Sequence, residues 1–447
     1  MGKVRRNTEL GLLVLATLII VGAYMLVSLA EDSDVPQNIG PFLGVIIGVQ
    51  AVGHIAIRRF APEADGMLFP LASVLNGLGY VFIVRIDEAR PDPAGLAGLQ
   101  ATWVIVGIGA FVATLILVPQ TRVLERYRYT AGLAGLALLM LPLAPVIGRT
   151  INNSRIWVAI GPMRFQPGEF AKLALAVFFA GYLYEKRELL AISRAVGPFS
   201  VPDPKHLGPL VLAWGASLIV MISQRDMGSS LLFFTLFLVM VWVATERASY
   251  LALGGLLFVG GAAFAITQFD HVSQRIDLLT EGFEELVGPI AEGQTQIDAA
   301  AFAFADGGVA GTGLNLGSPT RIPEVQTDFI FAAIGEELGL LGAAAVLVAF
   351  MLMIGAGLRI AQQTPSGFDR LLAVGLTTLL GFQAFIIIAG VTRLLPLTGV
   401  TLPFVSYGGS SLLANYMLVA LLLRISHNTA RHRAERAAAD QVTEVVA

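Results

Sequence analysis

The hydrophobic positions of this chain fall in long, nearly unbroken runs, not in the period of two of a half-buried strand or the period near four of a surface helix. A bilayer core about 30 Å thick takes about 20 mostly apolar residues per helix. Twelve runs approach that length, near 10–30, 39–57, 67–85, 101–118, 130–148, 169–185, 208–224, 229–245, 250–268, 329–357, 371–391 and 403–425. Lipid offers no partner for an unpaired backbone group, so helices are the expected form. The alternating segments of about 10 residues that would build a membrane β-barrel do not occur. The pattern predicts an all-α polytopic membrane protein with about 12 transmembrane helices. A long polar segment, residues 269–328, separates the ninth and tenth runs, and a second one, 149–168, follows the fifth. Residues 1–30 have the basic lead and the Ser28-Leu29-Ala30 end of a signal peptide. Their apolar run of about 20 residues exceeds the 7–15 of a cleaved signal, so a retained anchor is expected.

Composition narrows the class further. Of 447 residues, 55% are hydrophobic and only 14% are charged, against about 25% charged in ordinary globular domains. The mean hydropathy is +0.74. These values exclude a soluble enzyme or a disordered chain, and a net charge of −3 gives no basic field for nucleic acid. With no cysteine, disulfide scaffolds, thiolate metal sites and cysteine nucleophiles are excluded. Lysine and arginine concentrate in the N-terminal lead (Lys3, Arg5, Arg6), in alternate loops (Arg58, Arg122, Lys186, Arg247, Arg359) and in the tail (Arg431, Arg433, Arg436). The positive-inside rule then sets both termini in the cytoplasm. The remaining loops, with acidic runs such as Glu31-Asp32-Ser33-Asp34, face outward.

Four polar clusters stand at the predicted outer boundary. The first runs from Asn152-Asn153-Ser154-Arg155 through Arg164 and Gln166-Pro167-Gly168-Glu169 to Lys172. Glu169 and Lys172 are spaced to share a helix face, and arginines with a lysine suit a pyrophosphate; interface anchoring is the plainer alternative. The second, Gln224-Arg225-Asp226-Met227-Gly228-Ser229, carries an aspartate that either caps the next helix or serves a site. The third includes Arg321, Glu324 and Asp328, followed at once by Phe329, Ile330 and Phe331, then by Glu336 and Glu337. A carboxyl at an apolar boundary has the raised pKa that a general base near neutral pH needs; capping is again the alternative. The fourth, Leu395 to Ser411, contains Pro396, Pro403 and Gly408-Gly409 and should break its helix around a polar pocket lined by Ser406, Tyr407, Ser410 and Ser411; a kinked helix whose freed backbone groups are taken by the hydroxyls is the alternative.

The stretches "TDFIFAAIGEELG" and "LPFVSYGGSS", with the Asn152–Lys172 and Gln224–Ser230 segments in the same order, resemble the SEDS family, the RodA and FtsW proteins. The resemblance covers roughly residues 100–425 and looks closest to the elongation-type, actinobacterial branch. Thr398 stands where division-type members commonly carry Lys. It implies a SEDS core of 10 helices preceded by two extra ones, because five predicted spans rather than three come before the Asn-Arg-Trp segment. The implied domains are residues 1–66 (extra helix pair), 67–426 (glycosyltransferase core) and 427–447 (cytoplasmic tail). Gly168 departs from the usual Ser, Arg225 from Pro and Ala299 from Gln.

The same resemblance implies a peptidoglycan glycosyltransferase that polymerises lipid II at the outer face of the cytoplasmic membrane during elongation. Asp328 is then the general base and undecaprenyl pyrophosphate the leaving group. Arg155, Arg164, Gln166, Glu169, Lys172, Asp226, Arg321, Glu324, Glu337, Ser406, Tyr407 and Ser410 are the substrate-binding candidates. A divalent cation, Mg or Mn, would suit the diphosphate, although no ligand spacing in the sequence indicates one. Implied partners are lipid II, membrane lipids and a class B penicillin-binding protein, whose single helix would pack on small residues such as Gly254, Gly255, Gly260 and Gly261; nucleic acid is not expected. A flippase or secondary transporter, or a non-catalytic scaffold, are the alternative classes.

Overall fold

The computed structural model describes residues 2–32, 39–90, 95–151, 154–161, 163–191, 193–196, 199–202, 215, 223–268, 272–273, 275–276 and 296–446. The chain opens with four long helices, α1 (Gly2–Asp32), α2 (Ile39–Phe60), α3 (Leu68–Glu88) and α4 (Leu96–Leu117). A short helix α5 (Arg122–Arg126) leads into α6 (Arg128–Met140). Three antiparallel strands follow, β1 (Gly148–Ile151), β2 (Ser154–Ile160) and β3 (Met163–Phe165), and then α7 (Pro167–Ala191). After a hairpin of β4 (Ser193–Val196) and β5 (Phe199–Pro202) come α8 (Met227–Thr245), α9 (Ala248–Gln268) and α10 (Gln296–Gly307). The last three helices are α11 (Ile330–Gln363), α12 (Gly367–Val391) and α13 (Gly409–Val446).

Among the described residues, nine helices are long and apolar enough to cross a membrane: α1 to α4, α8, α9 and α11 to α13. The polytopic architecture read from the apolar runs stands, while the count of twelve is not reached within those residues. The expected span at 208–224 lies almost wholly outside them. α7 has 25 residues, about 37 Å at 1.5 Å per residue, but carries Glu169 and Lys172 near one end and Glu185, Lys186 and Arg187 near the other.

The expected span at 130–148 is corrected to a 13-residue helix that stops at Met140. Pro142 and Pro145 explain the stop, since neither can donate within a helix and each ring clashes with the carbonyl four residues back. The chain passes through a 3-10 turn, Leu141–Leu143, into β1. The polar segment 149–168, read as a loop, contains the small sheet, with Arg149 opposite Trp157 and Ala159 opposite Arg164.

The core lies where α7, α8, α12 and α13 meet, around the fully buried Phe179, Phe233, Phe368 and Tyr416. A second apolar cluster joins α1 and α2 to α3: Ile20, Tyr24, Val27, Phe42 and Ile46 against Val81 and Val84. α11 bends at Gly339 (φ 63°, ψ −165°), a conformation open to glycine. An apolar groove of about 810 Å³ opens between α11 and α12, lined by Phe331, Leu340, Phe350, Phe385 and Ile388 among others.

Between α12 and α13 the segment 392–408 is non-helical and folds back into the bundle, with Leu402, Phe404 and Val405 buried. Pro396 and Pro403 forbid a helix here, and Arg393, Gly399 and Phe404 all take positive φ. Its carbonyls find protein donors: Asn76 Nδ2 reaches Phe404 O at 3.3 Å and Gln383 Nε2 reaches Thr401 O at 2.9 Å. That partnering is what allows irregular backbone inside a membrane bundle.

Candidate active site

Three chain segments converge on the 392–408 re-entry. The first is the start of α7. Glu169 Oε2 lies 2.8 Å from Lys172 Nζ, as their spacing requires on one helix face. The buried Lys172 also donates to Gln383 Oε1 at 2.7 Å, and Gln383 in turn holds Thr401 O. The Gln166 N–H donates to Ser410 Oγ at 2.9 Å, tying the α7 entry to the start of α13.

The second is the start of α8. Asp226 is its N-cap, with Oδ1 accepting from the Ser229 N–H at 3.0 Å. Besides capping, Asp226 lines a space of about 30 Å³ shared with Gln166, Glu169, Gln224, Gly399 and Thr401. That volume suits about one water. Burial pushes the Asp226 carboxyl up, and the hydrogen bonds from Ser229 and the charge of Lys172 pull it back. A side chain on Gly228 would come within 2.9 Å of Thr398 O, so α8 abuts the re-entrant backbone directly.

The third is the turn ending at Asp328. The Thr327 and Asp328 N–H groups both donate to Glu324 O, at 3.1 and 3.2 Å, and Glu324 takes φ 54°. The re-entry grips this turn twice. Ser406 Oγ donates to Thr327 O at 2.5 Å while accepting from Leu402 N, and the Tyr407 N–H donates to Gln326 O at 2.8 Å. Arg90 adds a 2.7 Å bond to Gln326 Oε1. Gly399, at φ 72°, stands against the carboxylate: a Cβ there would be 4.0 Å from Asp328 Oδ2. Desolvation raises Asp328 from 3.8 to about 7, with Glu324 adding to the rise and Arg275 opposing it.

Arg275 is a residue that the sequence reading missed. It lies in the long polar segment, donates from Nη1 to Leu397 O at 2.8 Å, and stands in the fields of both Asp226 and Asp328. Burial lowers its own pKa, and the two aspartates counter that. No local pattern marks it, because only the return of the segment onto residue 397 brings it to the site. Gln383 was missed too, although a lone amide within an apolar run is a signal of polar contact between helices.

The structure thus brings together Asp328, Asp226, Glu169, Lys172, Gln166, Ser406, Tyr407 and Ser410. It places other sequence candidates apart. Arg155 donates to Pro142 O at 3.0 Å and Ala144 O at 3.4 Å, fastening the turn before β1. Arg164 and Arg321 are exposed, on β3 and on a 3-10 turn. Glu324 is the exception: it is exposed but belongs to the Asp328 turn, where its carbonyl accepts from the Asp328 N–H and its charge raises the Asp328 pKa. Glu336 and Glu337 are buried in α11 and serve the backbone around them: Glu336 Oε1 accepts from Ser318 N at 2.7 Å, and Glu337 pairs with Arg85 at 3.3 Å. Asn152 and Asn153 lie outside the described residues.

The family model FTSW_RODA_SPOVE, described as cell cycle protein, matches residues 67–431. The chain belongs to this family. As a member of the FtsW/RodA/SpoVE family it is 42% identical over 433 residues to the peptidoglycan glycosyltransferase RodA of Mycobacterium tuberculosis, covering 96% of this chain and 92% of the relative. It is 43% identical over 434 residues to the Mycobacterium leprae protein of the same name, covering 96% and 91%. Among solved structures it resembles a chain from a study of how a peptidoglycan synthase complex coordinates polymerization and crosslinking (TM-score 0.67, 26% identity, 82% of this chain and 98% of that one). It also resembles the rod shape determining protein RodA of Thermus thermophilus (TM-score 0.56, 26% identity, 82% and 97%).

Proposed function

We propose that this chain is a peptidoglycan glycosyltransferase that polymerises lipid II during cell elongation, with Asp328 as the general base. The observation that supports the mechanism is the Asp328 turn: its Thr327 and Gln326 carbonyls are gripped by the Ser406 hydroxyl and the Tyr407 N–H, and desolvation raises the Asp328 carboxyl to a pKa of about 7. A base with that pKa is half-ionised at neutral pH, near the optimum for proton abstraction. Asp328 takes the proton of the 4-hydroxyl on the acceptor's GlcNAc. That oxygen bonds to the anomeric carbon of the MurNAc at the end of the lipid-linked strand, and the bond to undecaprenyl pyrophosphate breaks. One displacement inverts the centre and gives a β-1,4 linkage. A diphosphate leaves without being protonated, which is why one carboxyl base suffices where inverting hydrolases need an acid as well.

The charge on the leaving group calls for cations in place beforehand. Lys172 and Arg275 stand at the site. Arg155 is engaged with Pro142 and Ala144 carbonyls, and Arg164 and Arg321 are free to reach only from the rim. A Mg or Mn ion would enter with the substrate's diphosphate: among the described residues no group of three or more His, Asp or Glu side chains is placed to hold a metal.

The protein is a multi-pass membrane protein, and we place it in the cytoplasmic membrane with both termini inside and Asp328 at the outer face, on the distribution of Lys and Arg. The proposed partner is a class B penicillin-binding protein. Two apolar faces are open to its single membrane helix. One is the groove between α11 and α12. The other is α9, where a Cβ added to Gly255, Gly260 or Gly261 would meet nothing within 4 Å.

The test is polymer formation from labelled lipid II by the full chain with its class B partner in liposomes, for wild type and Asp328→Asn. Polymer from wild type and a loss of at least about 100-fold in the folded variant is the expected result. Equal polymer from both would reject Asp328 as the base. No polymer from either, with lipid II crossing the bilayer, would favour a flippase.

A further inference from the structure

We propose that α1 and α2, which precede the family-matched stretch, clamp the segment Gly308–Ser318 and through it position the turn that carries Asp328; the proposal rests on the reading of Asp328 as the base.

The clamp has two contacts. Leu314 packs against the apolar cluster that joins α1 (Ile20, Tyr24, Val27) and α2 (Phe42, Ile46) to α3 (Val81, Val84), and it also packs against the main core. Asn315 Nδ2 donates to the Val27 carbonyl of α1 at 3.1 Å. Asn315 holds φ 65°, a conformation that asparagine tolerates better than most residues. Its own N–H is taken by Glu337 Oε2 at 3.1 Å.

From there the chain is held group by group. Arg85 of α3 donates to Gly317 O at 3.1 Å, Ser318 N is taken by Glu336, and the 3-10 turn Pro319–Arg321 leads into the Asp328 turn. The segment also docks on the α11 bend, where the Thr312 and Gly313 N–H groups donate to Glu336 O and Glu337 O at 2.9 and 3.0 Å. A displacement at Leu314 has little slack to disappear into before it reaches Asp328.

α1 can act as a strut because it is fixed along its length. At its start Arg6 pairs with Glu9 and donates to Ala64 O, and Glu9 Oε1 lies 2.6 Å from His54 Nδ1 of α2. Thr17 donates to Gln50 at 2.7 Å. Midway, Ile20 fills the notch at Gly77 of α3, where a Cβ would lie 2.1 Å from Ile20 Cδ1. Helices needed only to cross the bilayer would have no reason to bond the backbone-gripping Asn315.

The experiment uses the full chain with its class B partner in liposomes and labelled lipid II. Asn315→Asp keeps the size and the left-handed tolerance but sets an acceptor against the Val27 carbonyl; Leu314→Ala shrinks the apolar seat; Leu314→Met refills it. For the first two, the maximal rate should fall about tenfold, as small misplacements of a reacting group do, with the KM for lipid II within about twofold. The acid limb of the rate–pH profile should move to lower pH as water reaches Asp328, since Glu324 and Arg275, the charged groups facing it, are unaltered. Leu314→Met should restore both.

Unchanged rate and pH profile in folded Asn315→Asp and Leu314→Ala would overturn the clamp, and so would a rise in KM at constant rate, which would make the segment a substrate contact. Should a variant lose its fold by melting temperature, Leu314→Val, which shrinks the seat less, and Asn315→Gly, which removes the Val27 bond but keeps the positive φ, carry the same measurements. Asp328→Asn is run beside them. If it polymerises normally, the base reading has failed. If it is inactive while Asn315→Asp is normal, only the clamp has.

Discussion

At the scale of single residues the site is a balance of charges around one carboxyl. Glu324 raises the Asp328 pKa and Arg275 lowers it, so removing each moves the acid limb of polymerisation in opposite directions. Glu324→Gln should shift it to lower pH and Arg275→Gln to higher pH, measured as initial rates from about pH 5 to 9. The stability effect has its own sign. Asp328 has a folded pKa raised from 3.8 to about 7, so ionising it destabilises the fold progressively as pH rises through that window. Asp328→Asn should therefore melt at the wild-type temperature near pH 4 and above it near pH 8, while being inactive. A lower melting temperature at pH 8 would mean that the carboxylate is a structural contact. The sequence made Asp328 and its apolar neighbours legible, because a carboxyl beside Phe329, Ile330 and Phe331 is costly wherever the chain goes. It could not expose Arg275, whose role exists only because residues far along the chain return to it.

At the scale of elements, most helices were legible because a bilayer asks for a run of apolar residues whatever the tertiary arrangement. The exceptions have local causes. Two prolines end α6 early, and the strands β1 to β3 are short enough to be lost within a polar segment. The Gly307-Gly308 pair shows how one motif holds two mechanisms. A Cβ on Gly307 would lie 2.0 Å from Gly335 O of α11, whereas Gly308 has open space around it but φ 51°. Gly308→Ala should cost about 1 kcal/mol, the strain of a left-handed backbone. Gly307→Ala should cost more, about 1–3 kcal/mol or beyond, because two backbones must part. Melting temperatures of the two variants in detergent test the order, and the reverse order would mean that α10 is not seated on α11 as described.

At the scale of the whole molecule, helices distant in sequence are joined by buried charge. Arg85 of α3 pairs with Glu337 of α11, and both are buried. Removing one partner strands the other, at about 3–5 kcal/mol, whereas removing both charges is far less costly. Arg85→Met should lower the melting temperature sharply, and Arg85→Met with Glu337→Gln should recover most of it, since Gln still accepts the Asn315 N–H. Failure to recover would show that Arg85 acts through Gly317 O alone. The sequence by itself determined the membrane class, most of the long helices and a helix break within Leu395–Ser411, because each follows from the cost of placing apolar or polar groups in lipid; the early stop of α6 and the start of the last helix at Gly409 lay outside that reading. Only the tertiary structure decided which polar residues share a site, why Arg155 and Glu337 fasten backbone away from Asp328, and how α1 reaches Asn315. Those outcomes depend on which carbonyls and charges meet across helices, and the order of residues along a chain does not specify that.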